Sequence, residues 1–340
     1  MYILVTGGLG YIGSHIVVEL LNNNYHVIII DNLSNSNVNI FYNIAKICNE
    51  EILMVEKNKI VCNNVVLFID DIDNSELLNN IFYDFFVSHV IHLSAFKSVN
   101  ESIDKPLLYY DNNISKTINL LKIMEKHYIK NFIFSSSATV YGNNKSPFYE
   151  YSQTGVNITN PYGKSKYIIE EILKDLKNFN MWCLRYFNPI GCHESGLIGD
   201  NPNGIPSNLM PYIIRVSIGL YDKLNIFGND YKTNDGTCER DFIHVVDLAR
   251  AHVKALENMH YEFNVLNIGT GKPISVLTLV RTFEQINNVK INYEFKEKRE
   301  GNIDVSYCDA SLAEKLINWK AELNIEDMCR DSYNYALQFL

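Results

Sequence analysis

The chain has 340 residues, of which 47% are hydrophobic and 20% are charged, enough to bury one large domain or two medium ones. Its formal net charge of -9 argues against broad binding to nucleic acid or to anionic membranes, because both need a dominant basic field. The chain starts without a signal-peptide pattern, and no apolar run is long enough to span a membrane. We therefore expect a cytoplasmic protein.

The first half of the chain alternates short apolar runs with amphipathic helical patterns. Strands are predicted at residues 2–5, 26–30, 65–69, 89–93, 131–135 and 181–186. Helices are predicted at residues 14–21, 75–85, 113–126 and 162–176. Continuous β-rich runs between helices indicate a parallel sheet that is covered on both faces. The predicted fold class is therefore α/β, with a doubly wound parallel-sheet domain.

Three glycines, Gly7, Gly10 and Gly13, lie between the first predicted strand and the first predicted helix. Without Cβ atoms, the backbone can turn tightly and a diphosphate can approach bare N–H groups at the positive end of the helix. Such glycines are also common in ordinary turns. Their strand–turn–helix context favours the dinucleotide site of a Rossmann domain.

Asp31 ends the second predicted strand, 18 residues after Gly13. A carboxylate there can accept hydrogen bonds from both hydroxyls of an adenosine ribose, and it repels a 2′-phosphate. The position therefore favours NAD over NADP. A capping role for Asp31 in the following loop, residues 31–34, is the alternative.

A second group of motifs joins Ser137, at the end of a predicted strand, to Tyr162 and Lys166 on a predicted helix. The spacing of four places Tyr162 and Lys166 on one helix face. A tyrosine acts as a base near neutral pH only if its pKa falls from about 10 to about 7, which takes about 4 kcal/mol. A lysine cation and an oxidised nicotinamide ring can supply this in a dry cleft. Each pattern alone is common, and it is their combination that indicates a site.

After residue 186 the sequence becomes rich in proline and glycine over residues 188–211, which is typical of loops at a domain boundary. A predicted helix at 245–256 and a strand at 263–268 indicate a return to the sheet. We predict a Rossmann domain at 1–186, returning at about 243–268, and a smaller interleaved α/β substrate domain at 187–340. Residues 43–64 are interpreted as a surface insertion without a chemical role.

The seven cysteines are scattered and include no C-x-x-C pair. This pattern favours reduced thiols and predicts neither a disulfide framework nor a metal site. Three histidines, His92, His193 and His244, fall at predicted strand ends or loops, where structural hydrogen bonding is the expected role.

Together the motifs resemble the extended short-chain dehydrogenase/reductase family, and more closely its nucleotide-sugar 4-epimerases. The resemblance covers nearly the whole chain outside residues 43–64, and its segments include VTGGLGYIGSH, DNLSNS, SSSATVYG, NPYGKSK, LRYFNPIG, NLMPYI and RDFIHVVDLA. It implies tightly held NAD and reversible epimerisation at C4 of UDP-glucose and UDP-galactose through a 4-keto sugar. In this reaction Tyr162 removes the proton of the 4-hydroxyl, with Lys166 and Ser137 as the other catalytic residues.

The resemblance also implies which residues bind the cofactor. These are Gly7, Gly10, Tyr11, Ile12, Gly13, Asp31, Asn32, Asn35, Ser36, Asp71, Ile72, Leu93, Ser94, Ala95, Lys97, Asn112, Ser135, Tyr162, Lys166 and Phe187. Three positions depart from the family's usual residues, since Asp70 replaces a glycine and Ser94-Ala95 replaces Ala-Gly.

The residues implied for the UDP-sugar are Lys97, Ser137, Thr139, Tyr162, Phe187, Asn188, Asn208, Leu209, Asn225, Ile226, Phe227, Arg240, Arg299 and Ser306. Arg240 and Arg299 are assigned to the diphosphate, because a guanidinium matches phosphate oxygens in a fork. At the position of Ser306, relatives carry either a large tyrosine or a small residue beside the sugar's C2 substituent. We hypothesise that this serine also admits UDP-GlcNAc and UDP-GalNAc.

Other functions remain open at this point. Dehydratases and decarboxylases of nucleotide sugars share the fold, but the dehydratases carry an Asp-Glu pair where this chain has Ala138 and Thr139. Without an acid there, elimination of water lacks its proton shuttle. A non-catalytic NAD-binding regulator would tolerate loss of Tyr162 or Lys166, and both are present. The resemblance further implies a homodimer through helices near residues 106–126 and 162–176.

Overall fold

The structure, a computed structural model, describes residues 1–204, 206, 208–259, 263–299, 301 and 303–339. Its strands are β1 (Tyr2–Thr6), β2 (His26–Asp31), β3 (Ile52–Glu56), β4 (Lys59–Cys62), β5 (Val65–Ile69), β6 (Val87–His92), β7 (Asn131–Ser137), β8 (Asn180–Tyr186), β9 (Asn188–Ile190), β10 (Leu224–Phe227), β11 (Glu239–His244), β12 (Phe263–Ile268), β13 (Pro273–Ser275), β14 (Tyr293–Lys296) and β15 (Val305–Ser306). Its α-helices are α1 (Tyr11–Asn22), α2 (Asn39–Cys48), α3 (Ser75–Asp84), α4 (Val99–Asp104), α5 (Pro106–Tyr110), α6 (Lys116–Lys126), α7 (Pro161–Asp175), α8 (Leu209–Ser217), α9 (Val245–Glu257), α10 (Val276–Asn287), α11 (Ser311–Ile317) and α12 (Ile325–Phe339).

A central nine-stranded sheet has the order β12-β8-β7-β6-β1-β2-β5-β4-β3. The strands from β12 to β5 in this order are all parallel, whereas β4 and β3 are added antiparallel. The predicted parallel α/β sheet is therefore confirmed. Because the carboxyl ends of parallel strands share one edge, the segments after β1, β2, β6 and β7 meet there.

Both faces of the parallel part of this sheet are covered, which explains why its inner strands are largely apolar. On β1, Ile3 and Val5 face a cluster that includes residues of α1, α2, α9 and α11. Leu4 faces the opposite cluster, which includes residues of α3, α6 and α7. The alternation follows from the period of two along a strand.

The helix predicted at 113–126 differs from the prediction in its helix type. It begins as a π-helical turn, Asp111–Ser115, and continues as α6. The π turn places Asn113 in the interior, where its side chain reaches α7. The sequence pattern could not distinguish this turn from an ordinary helix start.

Residues 43–64, interpreted from the sequence as a surface insertion, are only partly at the surface. They comprise the end of α2 and the antiparallel hairpin β3–β4, which extends the sheet by two strands. Ile44, Ala45 and Cys62 are buried against the core, while most of β3 is exposed. The interpretation is therefore wrong for α2 and β4, because their apolar residues continue the core of the sheet.

A smaller unit lies beyond β8. There β11 pairs with β9, β13 and β15, and β10 pairs with β14. A separate core cluster joins α8, α10 and α12 to these strands. The strand predicted at 263–268 is β12, which pairs in parallel with β8 and so returns the chain to the central sheet. The domain boundaries themselves stay a prediction.

In the part of the chain that the structure describes, no helix combines the length and apolar character needed to cross a bilayer. Within the same residues, no group of three or more His, Cys, Asp and Glu side chains is arranged to hold a metal ion. The seven cysteines are free thiols, and all except Cys48 are buried.

Candidate active site

The glycine turn between β1 and α1 leaves no room for side chains. Gly7 has a φ of +70°, and a Cβ built on Gly13 would lie 2.2 Å from the carbonyl oxygen of Gly7. Gly10 caps α1 without a side-chain hydrogen bond, so the first N–H groups of the helix stay available. The turn is therefore a cradle of bare backbone at a positive helix end, which fits a diphosphate.

Asp31 connects this turn to the loop that follows β2. Its carboxylate accepts hydrogen bonds from the Leu9 N–H at 3.0 Å, the Leu33 N–H at 3.0 Å and the Ser36 hydroxyl at 2.7 Å. These are the capping bonds that the sequence left as an alternative. A carboxylate has about four acceptor positions, so these bonds leave capacity for a ribose hydroxyl.

Asp71 lies next to the Asp31 loop, at the end of β5. It accepts hydrogen bonds from the Asn32 amide at 2.9 Å and the Lys116 ammonium at 2.8 Å. Burial raises the pKa of this carboxyl, but the bonds from Lys116, the Asp73 N–H and Asn32 outweigh it, and the net pKa is lowered. The adjacent Ile72 is buried. Asp71 and Ile72, the two residues predicted to contact the adenine, are thus adjacent, and the Asp71 carboxyl is ionised.

The segment after β6 lies against the glycine turn. The N–H groups of Leu93 and Ser94 lie 3.2 and 3.3 Å from the Thr6 hydroxyl, and a Cβ on Gly7 would lie 3.0 Å from the Ser94 nitrogen. Ser94 and Ala95, which depart from the family's usual residues, are both partly exposed at this edge.

The loop after β6 and the loop after β9 also contact residues around the glycine turn. Lys97 lies 3.8 Å from the Asp200 carboxylate, with its ammonium 5.9 Å from the centre of the Tyr11 ring. The Tyr11 hydroxyl donates to the Gly191 carbonyl at 2.7 Å. Asn35 accepts a hydrogen bond from the Asn203 N–H at 3.4 Å. These contacts join the predicted cofactor residues to the loop after β9.

Tyr162, Lys166 and Ser137 are brought together by α7 and the end of β7. Pro161 begins α7, whose capping residue Asn160 accepts a bond from the Gly163 N–H at 2.8 Å. The Lys166 ammonium donates to the Ser135 carbonyl at 2.6 Å and lies 6.0 Å from the centre of the Tyr162 ring. The Ser137 side chain is close enough to the Tyr162 hydroxyl to lower the pKa of that phenol in part.

Burial perturbs both titratable groups of this trio. It lowers the pKa of Lys166 to about 7, with Cys183 and Glu170 opposing the shift. Burial raises the pKa of Tyr162, although the bond from Ser137 lowers it in part. The protein's own groups therefore do not make the phenol acidic. The expected acidic phenol needs a further positive charge, such as an oxidised nicotinamide ring.

The predicted substrate residues lie in the smaller unit and at its junction with the sheet. The Arg299 guanidinium carbon lies 3.9 Å from the centre of the Phe227 ring, and burial lowers the pKa of Arg299. Asn225, two residues before Phe227 on β10, has a buried side-chain oxygen without a hydrogen-bond partner. The neighbouring Ile226 is buried. Arg299, Phe227 and Asn225 therefore form one surface, on which the Asn225 side-chain oxygen can accept a hydrogen bond from a ligand.

Arg240 and Ser306 are register partners in the pairing of β11 with β15. One Arg240 nitrogen, Nη1, donates to the carbonyls of Glu239 at 2.7 Å and Ile303 at 3.0 Å. These two bonds hold one terminal nitrogen of the Arg240 guanidinium in place, on the residue that pairs with Ser306. On the neighbouring β9, the Asn188 amide donates to the Asp241 carbonyl at 3.0 Å.

The remaining predicted residues are placed at element ends. Asn208 is the exposed capping residue of α8, and Leu209 is the first residue of that helix. Phe187 is buried, with its ring centre 6.2 Å from that of Phe148. Thr139 follows Ser137 and has a buried hydroxyl without a partner. The Asn112 amide donates to the Asn113 side chain at 3.1 Å.

Sequence reasoning missed the supports behind the trio. Asn113 accepts from the Phe96 N–H at 2.9 Å and its amide donates to the Ser165 hydroxyl at 3.1 Å, so it fixes the loop after β6 against α7. Nothing in the local pattern signals this role. Glu170 could have been found, because it lies four residues beyond Lys166 on the same helix face.

Glu170 forms a buried ion pair with Arg185 of β8. The Arg185 nitrogens Nε and Nη2 lie 3.0 and 2.6 Å from the two Glu170 oxygens, and the Ser136 hydroxyl donates to Glu170 as well. Arg185 also donates to the Tyr141 hydroxyl at 2.9 Å. The network holds α7 against β7 and β8, and it therefore fixes the position of Lys166 on α7 relative to the sheet.

His92 is held between the hydroxyls of Thr6 and Thr117, each 2.8 Å away. Burial lowers its pKa to about 3, so it is neutral at physiological pH. It has the structural hydrogen bonds that the sequence suggested.

A doubly wound parallel sheet with a glycine turn before α1 and a Tyr–Lys pair on α7 defines a short-chain dehydrogenase/reductase. A family model described as GDP-mannose 4,6 dehydratase matches residues 4–332. A UDP-glucose 4-epimerase from Haemophilus influenzae is 47% identical to this chain, over 98% of the chain and 97% of the relative. The chain belongs to the UDP-glucose 4-epimerase family.

Solved structures agree with this placement. The UDP-glucose 4-epimerase from Bifidobacterium longum, in complex with NAD+ and UDP, is 42% identical with a TM-score of 0.92, covering 100% of this chain and 99% of that chain. The enzyme from Stenotrophomonas maltophila, with bound NAD and formylated UDP-arabinopyranose, is 41% identical with a TM-score of 0.93, covering 99% and 98%.

Proposed function

We propose that this protein catalyses the NAD-dependent, reversible epimerisation of UDP-glucose and UDP-galactose at C4. The observation that carries the proposal is the meeting of Tyr162, Lys166 and Ser137 at the carboxyl edge of the sheet, the same edge at which the glycine turn follows β1. A general base, its electrostatic partner and a hydroxyl to orient the substrate oxygen are what oxidation of a sugar alcohol requires.

NAD fits the described residues for three reasons: a Cβ on Gly13 would collide with the Gly7 carbonyl, Gly10 leaves the first N–H groups of α1 without a side-chain cap, and the carboxylate of Asp31 stands at the end of β2. The turn Gly10–Gly13 would hold the diphosphate, Asp31 the adenosine ribose, and Asp71 with Ile72 the adenine. Lys166 would hold the nicotinamide ribose, and Phe187 would lie against the ring. The bound cofactor would supply the hydride acceptor and donor that the reaction at C4 needs.

The chain's own residues move the proton. Tyr162 takes the proton from the 4-hydroxyl and later gives it back, while Ser137 binds the same oxygen and orients it. Because burial raises the pKa of Tyr162, its phenolate forms only beside cations. Lys166 is one such cation, and its position is fixed by the Ser135 carbonyl. This links proton removal to the presence of oxidised cofactor.

Epimerisation also requires a firm hold on the nucleotide and a loose one on the sugar. Arg240 and Arg299 hold the diphosphate, and Phe227 with the open acceptor of Asn225 lines the nucleotide wall. Lys97, Thr139, Asn188, Asn208, Leu209 and Ile226 complete the substrate contacts. A firm hold on the UDP and a loose one on the 4-keto sugar would let the sugar turn over, so that its opposite face is presented for return of the hydride.

We test this function by following conversion of UDP-galactose to UDP-glucose with the purified protein. The wild type converts the substrate, and Tyr162→Phe loses at least about 100-fold in turnover, because a positioned base contributes 10² to 10⁴. Cofactor absorbance in the same preparation checks that the variant still holds NAD. Full activity in Tyr162→Phe would contradict the assignment.

We propose that UDP-GlcNAc and UDP-GalNAc are also substrates. Ser306 is partly buried beside Arg240, so a small side chain stands where a tyrosine would fill space near the sugar. Ser306→Tyr should abolish turnover of the N-acetylated sugars and leave that of UDP-galactose within a few fold. If the wild type turns over UDP-galactose but neither N-acetylated sugar, the hypothesis is wrong.

We propose a homodimer through the exposed apolar face of α4, α5 and α7, which we call the helix face. It carries Ile103, Leu107, Leu108 and Ile168, and Leu107 is 81% exposed. A large apolar patch on a folded protein marks a contact surface. Leu107→Asp should convert a dimer to a monomer in light scattering.

The free cysteines support a reducing compartment, and we place the reaction in the cytoplasm.

A further inference from the structure

The outermost strand of the central sheet, β3, has an open edge. It pairs with β4 on one side, and no strand in the described part of the chain pairs with its other side. Leu53 and Val55 are 58% and 59% exposed, and Ile52 is exposed as well. An apolar edge strand with unpaired backbone groups is a template for another strand.

We propose that β3 pairs antiparallel with β3 of a second copy of this chain, joining two nine-stranded sheets into one. The occupant is a second copy because the residues that flank β3 in the segment EILMVEK, Glu51 before it and Lys57 after it, carry opposite charges, with Glu56 as the one further charge of the segment. Both charged ends, Glu51 and Lys57, are exposed. An antiparallel partner with the same sequence presents these charges in the complementary order.

The charges select one register. With the two-fold axis at Met54, Glu51 of each copy faces Lys57 of the other, Leu53 faces Val55 and Ile52 faces Glu56; each of these pairs occurs twice, and Met54 faces Met54 once. A shift of one residue in one direction places Glu51 opposite Glu56. A shift in the other direction places Glu51 opposite Asn58 and Lys57 opposite Ile52, so both Glu51–Lys57 pairs are lost. Opposite charges and apolar pairs stabilise adjacent strands, whereas like charges directly opposite destabilise them. The register centred on Met54 is therefore favoured.

The edge is separate from the other surfaces that carry function. It lies at the far end of the sheet from β12 and is separated from β1 by β2, β5 and β4. The helix face packs elsewhere, on α4, α5 and α7. Edge pairing therefore adds to the helix-face dimer and does not cover Tyr162, Lys166 and Ser137. A five-residue strand buries less than the about 1,000 Å² of a lasting interface, so the association depends on protein concentration.

Sedimentation of the full chain over a range of concentrations tests the proposal, with Leu107→Asp present throughout to remove the helix face. Glu51→Lys and Lys57→Glu should each weaken self-association about tenfold, because two attractive pairs become repulsive. The double variant Glu51→Lys/Lys57→Glu restores both pairs and should associate as the parent does.

Mixing the two single variants gives the sharpest result. A Glu51→Lys chain facing a Lys57→Glu chain has both charge pairs restored, so the equal mixture should associate where each variant alone does not. Circular dichroism controls for folding. Absence of concentration-dependent association in the parent chain would overturn the proposal. It would equally be overturned if the mixture associates no better than the single variants, since the contact would then lie elsewhere.

Discussion

Replacing Lys166 with methionine tests the electrostatic basis of the proposed chemistry. The Lys166 ammonium lies 6.0 Å from the centre of the Tyr162 ring and is 3% exposed. At that distance, with an effective dielectric constant near 20, the attraction between an ammonium and a phenolate is roughly 3 kcal/mol, or about two pKa units. One cation therefore supplies about two of the three units that separate an ordinary tyrosine from neutral pH, and because burial raises the pKa of Tyr162 further, the rest has to come from another positive charge.

Lys166→Met should raise the kinetic pKa of the group that must be deprotonated by about two pH units. Activity at neutral pH should fall about 100-fold and recover in part as the pH is raised, since the phenol then ionises more readily. The assay is the pH dependence of kcat for UDP-galactose between pH 6 and 10. Lys164→Met is the matched control, because Lys164 lies on the same helix but is exposed.

The reasoning would be refuted if Lys166→Met loses activity uniformly at all pH values while it keeps its cofactor. Lys166 would then act only by holding the ribose. An unchanged pH profile with full activity would remove it from the chemistry altogether.

Two further predictions concern the supports of the site. Glu170→Ala should lower the free energy of unfolding by about 3–5 kcal/mol in urea titrations, because it leaves the Arg185 guanidinium buried without its partner. A loss below about 1 kcal/mol would show that the pair is not buried. His92 has a folded pKa of about 3, below its usual 6.5, so the unfolded state binds the proton first and stability falls as the pH falls through that window. Its share is about 2 kcal/mol at pH 5. Relative to its own stability at pH 7.5, His92→Gln should lose about that much less at pH 5, and equal losses would contradict the assignment.

The architecture of the parallel part of the central sheet follows from the sequence because its inner strands are buried on both faces. The strand predicted at 65–69 is β5 without change, and the others agree within about two residues. Edge strands lack this signature. β3 is mostly exposed, and it lies within residues 43–64, whose mixture of polar and apolar residues was interpreted as a surface insertion.

The trio on α7 was predictable because helical spacing and strand ends bring these residue types together. Its supports were not, because they depend on contacts between distant segments. Asn113 reaches Ser165 across 52 residues, and Glu170 meets Arg185 only once β8 lies beside β7. The direction of the Tyr162 pKa also needed the structure, since burial cannot be read from the motif.

The most direct test of the account is the fate of the hydrogen at C4. UDP-galactose carrying deuterium at C4 is converted by the purified protein in ordinary water, and the UDP-glucose formed is analysed by NMR. Because the hydride leaves C4 and returns to C4 without meeting solvent, the product should retain essentially all of its deuterium there. Replacement of that deuterium by solvent hydrogen, or a product that has lost water, would contradict the account.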